Sequence, residues 1–247
     1  MGAAIDVLNP EKPKHVALIA SNPATSKQTG WPIGFWWSEL THPYWEFAEH
    51  GYHVDIYSPG GGKLVADSWS DPRDESKYSS NGLISLGFIC SAEHSKVVEN
   101  SKPISQLNFD EYDALLFVGG QGPMYTFYED TRVQELASSF YKTGKITAIL
   151  CHATCILLKA KLDGKLLVEG RTWTGFANSE EIFADSYVGK RIQPFWIEDE
   201  ATRLPETNFI VSSRFKAHAV RDGNLITGQQ QFSGAAVARL VIEALGI

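Results

Sequence analysis

Four short apolar runs, each cut off by a turn, constrain this chain more than any other feature. Residues 15–21 (HVALIAS) show no polar alternation, the pattern of a strand covered on both faces. Residues 54–57 form a second run, closed by Ser58-Pro59-Gly60-Gly61-Gly62. Residues 112–118 (YDALLFV) run into Gly119-Gly120-Gln121-Gly122-Pro123, and residues 146–150 (ITAIL) stop at Cys151-His152. Helical spacing fills the gaps. In residues 35–50, Trp36, Leu40, Tyr44 and Phe47 share a face and Gly51 closes the segment. Residues 129–143 place Val133, Leu136, Ala137 and Phe140 on one side, and residues 233–245 form an amphipathic helix capped by Ser233. Further helices are expected from Cys151 through Ala160 and over 180–186. Pro43 is expected to mark a kink or a restart, not a helix interior.

Strands alternating with helices predict an α/β, flavodoxin-like three-layer sandwich: a mainly parallel sheet with helices on both faces. Residues 63–108 are irregular and read as a small inserted cap segment, with one or two helices within 76–100. A hairpin is expected around Glu169-Gly170, and further strands at 209–212 and 225–227. No repeat or linker interrupts residues 1–247, so one domain is expected.

The chain is acidic, with a formal net charge of −7 and no cluster of Lys or Arg, which excludes a nucleic-acid partner. No run approaches the ~18 apolar residues of a membrane span, and no signal peptide is visible, so a cytoplasmic location away from membranes is expected. The three cysteines form no metal-type pair: Cys151 and Cys155 are four apart and Cys90 stands alone. Glu39 and His42 would supply two metal ligands, which do not make a site, so neither metal nor cofactor is expected.

In a parallel sheet the active site lies beyond the carboxyl ends of the strands. Gly119-Gly120 and Cys151 both lie there, so the fold predicts that they converge. A thiol between a strand tip and a helix mouth meets backbone N–H groups and a dipole that favour thiolate, the nucleophilic form. The Gly119–Gly122 loop has neither a P-loop lysine nor dinucleotide spacing, so its better use is to aim N–H groups at an oxyanion beside Cys151, a plain tight turn being the alternative. His152 follows Cys151 directly and serves it as a base only if the turn is strained; otherwise it merely caps the helix. Glu180 and Glu181 are both candidates to orient His152. Glu39, flanked by Trp36, Trp37 and Leu40, is either a solvent-facing glutamate or a buried acid with a raised pKa.

The segments GFWWSELTHP (34–43), GYHVDIYSPGG (51–61), Val118 to Gly122, Ile149-Leu150-Cys151-His152, WTGFANSEE (173–181) and DGNLITGQ (222–229) occur in an order that resembles the ThiJ/PfpI superfamily, within the class I glutamine-amidotransferase-like fold. They look most like its glyoxalase III and heat-shock chaperone branch. The resemblance implies Cys151 as nucleophile, Glu39 as its carboxyl partner, His152 as histidine and Glu181 as triad acid. It implies an oxyanion hole from Gly120 and His152, and a substrate pocket bordered by Gly119, Gln121 and Thr154. The implied activity converts methylglyoxal to D-lactate without glutathione or metal, in a homodimer acting on a small-molecule substrate. Three departures border the pocket: Gln121 where the branch has His, Ala153-Thr154 where it has Gly-Pro, and Gln230-Gln231 where it has Asn-Pro. The alternatives are a cysteine-dependent hydrolase or hydratase of another substrate, and a stress-response chaperone or redox sensor.

Overall fold

The apolar runs become the strands of one sheet, and their tips gather on one edge. The computed structural model describes residues 13–246. Its sheet comprises β1 (His15–Ile19), β2 (His53–Ser58), β3 (Lys102–Pro103), β4 (Ala114–Phe117), β5 (Ile146–Leu150), β6 (Ala219–Asp222) and β7 (Leu225–Gly228). The strand order is β6-β7-β5-β4-β1-β2-β3, parallel throughout except for the β6–β7 hairpin at one edge. β4 and β5 are buried at every position, as strands covered on both faces must be. Each such apolar side chain contributes about 1.5–3 kcal/mol of burial.

The main helices are α1 (Trp37–Glu49), α2 (Leu83–Cys90), α3 (Thr131–Lys142), α4 (Asn178–Val188) and α5 (Gly234–Ala244). α1 and α5 pack together, with α2 against α1, while α3 packs on β5 and the 3₁₀ helix Cys151–Leu158. A mainly parallel sheet between helical layers is the flavodoxin-like arrangement. Among the described residues no helix is long and apolar enough to cross a membrane.

Several local expectations change. Pro43 lies inside a continuous α1, where it offers no N–H to the carbonyl of Glu39 one turn earlier. Its ring is accommodated at the start of α5 by Gly234, where a Cβ would come within 3.1 Å of Pro43 Cδ. The segment after Cys151 is 3₁₀, not α, and ends at Leu158. The hairpin lies one turn earlier than expected, pairing Lys161–Leu162 with Lys165–Leu166 around Asp163-Gly164, while Thr172–Trp173 pairs in parallel with Asn208–Phe209. Ser233 precedes α5 but turns its hydroxyl back to accept from His218 N and Gln230 N. Within the inserted segment, α2 and the helix Ser95–Glu99 appear, and β3 joins the main sheet as an outer strand.

Candidate active site

The site forms where the tips of β4 and β5 meet the chain entering α1. β5 runs into Cys151, whose φ of 57° is a left-handed conformation that non-glycine residues seldom adopt. The turn aims the thiol away from the strand, towards the backbone N–H groups of Gly120 and His152. Gly120 approaches so closely because it has φ 107° and no side chain: a Cβ there would lie 2.6 Å from Gly34 O and Trp36 N. A Cβ on Gly119 would fall 2.3 Å from Glu39 Oε2 and 2.7 Å from Cys151 Cβ. Gly119 is therefore the gap through which acid and thiol meet.

Glu39 sits in the first turn of α1 with no exposed surface. Its polar company is the Cys151 thiol and the Gly119 N–H, neither of which makes a hydrogen bond of full geometry. Burial lifts its pKa to about 8, the thiol contact opposing and the charge of Asp67 adding. At neutral pH Glu39 is a neutral acid. Burial also pushes the Cys151 thiol up, as do the charge and close contact of Glu39, while the N–H groups of Gly120 and His152 pull it down. Acid and thiol are one coupled pair in which a second negative charge is strongly disfavoured. With the proton on Glu39 the repulsion vanishes, and the acid becomes a third donor facing the sulfur.

His152 Nδ1 lies 3.5 Å from Cys151 Sγ, and its Nε2 lies 3.0 Å from Glu181 Oε1. If Nε2–H donates to the carboxylate, the neutral ring presents an unprotonated Nδ1 to the thiol. The ring stacks on Phe176 at 4.0 Å between centroids, which fixes its plane. Burial raises the pKa of Glu181 and the facing His152 opposes the shift. Glu180, its neighbour, turns elsewhere: it accepts from Ala177 N, Phe215 N and Gln229 Nε2, closing the start of α4 and anchoring the loop at Phe215. The two candidate carboxylates thus separate cleanly, Glu181 on His152 and Glu180 on the backbone.

A further acid, Asp67 of the inserted segment, is buried beside the glycine loop. It accepts from Gly34 N at 3.0 Å and from Gln121 N at 2.7 Å, clamping the loop that carries the Gly120 N–H. Burial raises its pKa to about 7, against the pull of those two N–H groups. Its spacing from the glycine loop, 54 residues along the chain, hides this link from sequence patterns.

Above Cys151 lies a narrow pocket of about 60 Å³, lined by Glu39, Gly120, Gln121, Cys151, His152 and Glu181 at its floor. Four residues expected to border it, Gly119, Ala153, Thr154 and Gln230, do not line it. Thr154 folds its hydroxyl back onto the Cys151 carbonyl at 2.6 Å and packs under Gly175, because the tight 3₁₀ turn brings residues three apart together. Gly119 lies behind the thiol, filled on its far side by Glu39. Sequence reasoning missed Phe176, Gln193 and the rings of Tyr78, Phe183, Tyr187 and Phe215, all on the pocket wall. Only Phe176 carried a signal, its place three residues after Trp173 in the strand-to-helix turn. Among the described residues no group of three or more His, Cys, Asp or Glu is placed to hold a metal.

Many known proteins resemble this chain in sequence or in fold. The chain is 25% identical over 215 residues to the glutathione-independent glyoxalase HSP31 of Saccharomyces cerevisiae, covering 84% of this chain and 87% of the relative. It is 23% identical to glyoxalase 3 of Candida albicans, covering 94% and 98% of the two chains. Among solved structures, the 24 kDa rapid encystment protein of Francisella tularensis superposes with a TM-score of 0.82 at 25% identity, covering 95% of this chain and all (100%) of the other. The crystal structure of Candida albicans glyoxalase III follows at 0.77 and 22% identity, covering 94% and 97%, which speaks to the fold. The DJ-1/PfpI family model matches residues 34–244, from the loop before α1 to the end of α5, and the chain belongs to the DJ-1/PfpI family.

Proposed function

We propose that this chain is a cofactor-free, cysteine-dependent enzyme of the glyoxalase III type, turning a 2-oxoaldehyde such as methylglyoxal into the 2-hydroxy acid without glutathione. The observation that carries the proposal is the buried Glu39–Cys151 pair, a proton carrier against a nucleophile at the floor of a narrow pocket. The names of the relatives in yeasts support the same reading.

His152 takes the Cys151 proton as the sulfur adds to the aldehyde carbon, and the new alkoxide takes the proton held by Glu39, giving a hemithioacetal. The N–H groups of Gly120 and His152 stabilise the charge on that oxygen as it develops. Glu39, now a carboxylate, removes the hydrogen from the former aldehyde carbon while His152 gives its proton to the ketone oxygen, forming an enediol. Glu39 then returns its proton to the neighbouring carbon and takes up the hydroxyl proton of the former aldehyde carbon. The product of that transfer is a thioester of the 2-hydroxy acid. His152, oriented by Glu181 and Phe176, takes a proton from the water that hydrolyses it and restores the thiol. One carbon is oxidised as its neighbour is reduced, so no external oxidant is needed.

The test is lactate formation from methylglyoxal in glutathione-free buffer by the wild type, Cys151→Ser and Glu39→Gln. Turnover by the wild type and a loss of at least about 100-fold in both variants is the expected outcome. A wild type that forms no lactate while iodoacetamide still labels Cys151 quickly keeps the nucleophile and removes this reaction.

A further inference from the structure

The upper wall of the pocket is built differently from its floor. Four segments remote in sequence each deliver rings to it: Trp36 before α1, Trp69 and Tyr78 from the inserted segment, Phe183 and Tyr187 from α4, and Phe215 from the loop before β6. The rings touch in series. Trp36 meets Tyr78 at 6.0 Å between centroids, Tyr78 stacks on Trp69 at 5.7 Å, and Trp69 meets Tyr187 edge-on at 5.5 Å. Tyr187 then stacks with Phe183 at 6.5 Å, and Phe183 meets Phe215 at 5.2 Å. A connected frame of six rings is far more aromatic surface than a methyl group needs.

The polar part of the wall carries no cation. No Lys or Arg lines the pocket among the described residues, and the acids that do, Glu39, Glu180 and Glu181, are committed to the thiol, the backbone and His152. The remaining polar groups are the amides of Gln121, Gln193 and Gln231. Gln121 and Gln193 each hold a buried amide oxygen with no partner, and Gln193 is only 1% exposed. Arg214 lies over the Phe183 ring at 4.8 Å but is exposed and stands outside the lining. An anionic substituent would find carboxylates and no cation, whereas a flat apolar one would find rings on several sides.

We infer that the substrates of this site are uncharged 2-oxoaldehydes bearing a flat aromatic or similarly broad apolar substituent, with the oxoaldehyde on Cys151 at the narrow floor and the substituent lying along the ring frame at the open mouth. The inference rests on the proposed glyoxalase reaction and names its substrate class. The overall change is R–CO–CHO plus water to R–CHOH–COOH, as balanced above.

The experiment measures kcat/KM in glutathione-free buffer for methylglyoxal, phenylglyoxal and 4-carboxyphenylglyoxal, with the wild type and Tyr187→Ala. Tyr187 is 66% exposed and outside the catalytic machinery, so its removal leaves the fold intact. Phenylglyoxal is expected to exceed methylglyoxal by about tenfold or more, and the para-carboxylate to cancel that gain. Tyr187→Ala is expected to lower the ratio of phenylglyoxal to methylglyoxal kcat/KM about three- to tenfold. Methylglyoxal turned over as well as phenylglyoxal, or a Tyr187→Ala loss equal for both, overturns this inference while the reaction stands. Turnover of none of the three removes the reaction and the inference together.

Discussion

Asp67 shows how one buried side chain can act on a pocket that it does not line. Its two oxygens hold Gly34 N and Gln121 N, and its charge helps keep the proton on Glu39. An asparagine there would accept one N–H but turn its own N–H₂ against the other. Asp67→Asn is therefore expected to lower kcat about tenfold by loosening the loop that carries the Gly120 N–H. It is also expected to move the alkaline limb of kcat/KM, set near pH 8 by Glu39, towards lower pH, because the charge that raises the Glu39 pKa is gone. A pH profile of the variant checks this, and a lowered rate with an unmoved limb would reduce Asp67 to scaffolding. At this scale the sequence was most legible where a side chain's surroundings are local. Cys151 at a strand tip could be read directly, whereas the tryptophans around Glu39 left it between a solvent-facing and a buried acid. Glu180 and Glu181 could not be separated on residue type, since only the direction of each side chain from α4 tells them apart. Thr154 was misread for the converse reason: it lies three residues after Cys151, but its hydroxyl is used up by its own turn.

The elements around the site divide into those that must be bare and those that are merely open. Gly119 and Gly120, at the end of β4, leave room that acid, thiol and backbone already fill. Gly87, in α2, has nothing within 4 Å of where a Cβ would project. Gly119→Ala is expected to cut activity at least about 100-fold by forcing Glu39 and Cys151 apart. Gly87→Ala is expected to leave activity unchanged and to add about 0.5–1 kcal/mol to stability, read as a higher midpoint in a urea titration. The long buried strands were predictable because their apolar runs lack alternation, and α3 because its face is periodic. β6 was not foreseen: Ala219–Asp222 is half-exposed and mixed in character, and pairing with β7 across Gly223 decides its conformation. The 161–166 hairpin was misplaced because Asp163-Gly164 and Glu169-Gly170 offer the same local turn chemistry, and only packing selects between them.

For the molecule as a whole, the buried acids invert the usual response to pH. Glu39 rises from 4.5 to about 8 and Asp67 from 3.8 to about 7. A group whose pKa is raised by folding contributes stability that is present in full below its unfolded value and lost as pH climbs through the folded one. The paired carboxylates Asp55, Asp71 and Asp130 have lowered values and act in the opposite sense, their contribution fading only as pH falls below the ordinary carboxylate range. The melting temperature is therefore expected to be highest at about pH 5 and to decline between pH 6 and 9. Glu39→Gln should flatten that decline, because a neutral amide pays no charging cost in the same cavity. Calorimetry across that range decides it, and a wild-type midpoint that rises up to pH 9 would contradict the reading.

The inserted segment places Asp67 and Trp69 two residues apart, one clamping the glycine loop and the other framing the pocket mouth. In the proposed reaction, selectivity and rate thus run through the same short stretch of chain. A relative that acquired a new cap to admit a new substrate would inherit a disturbed oxyanion donor with it. Diversification in such a protein should proceed by exchanging rings on α4, where Tyr187 is free to vary, and leave the cap nearly untouched.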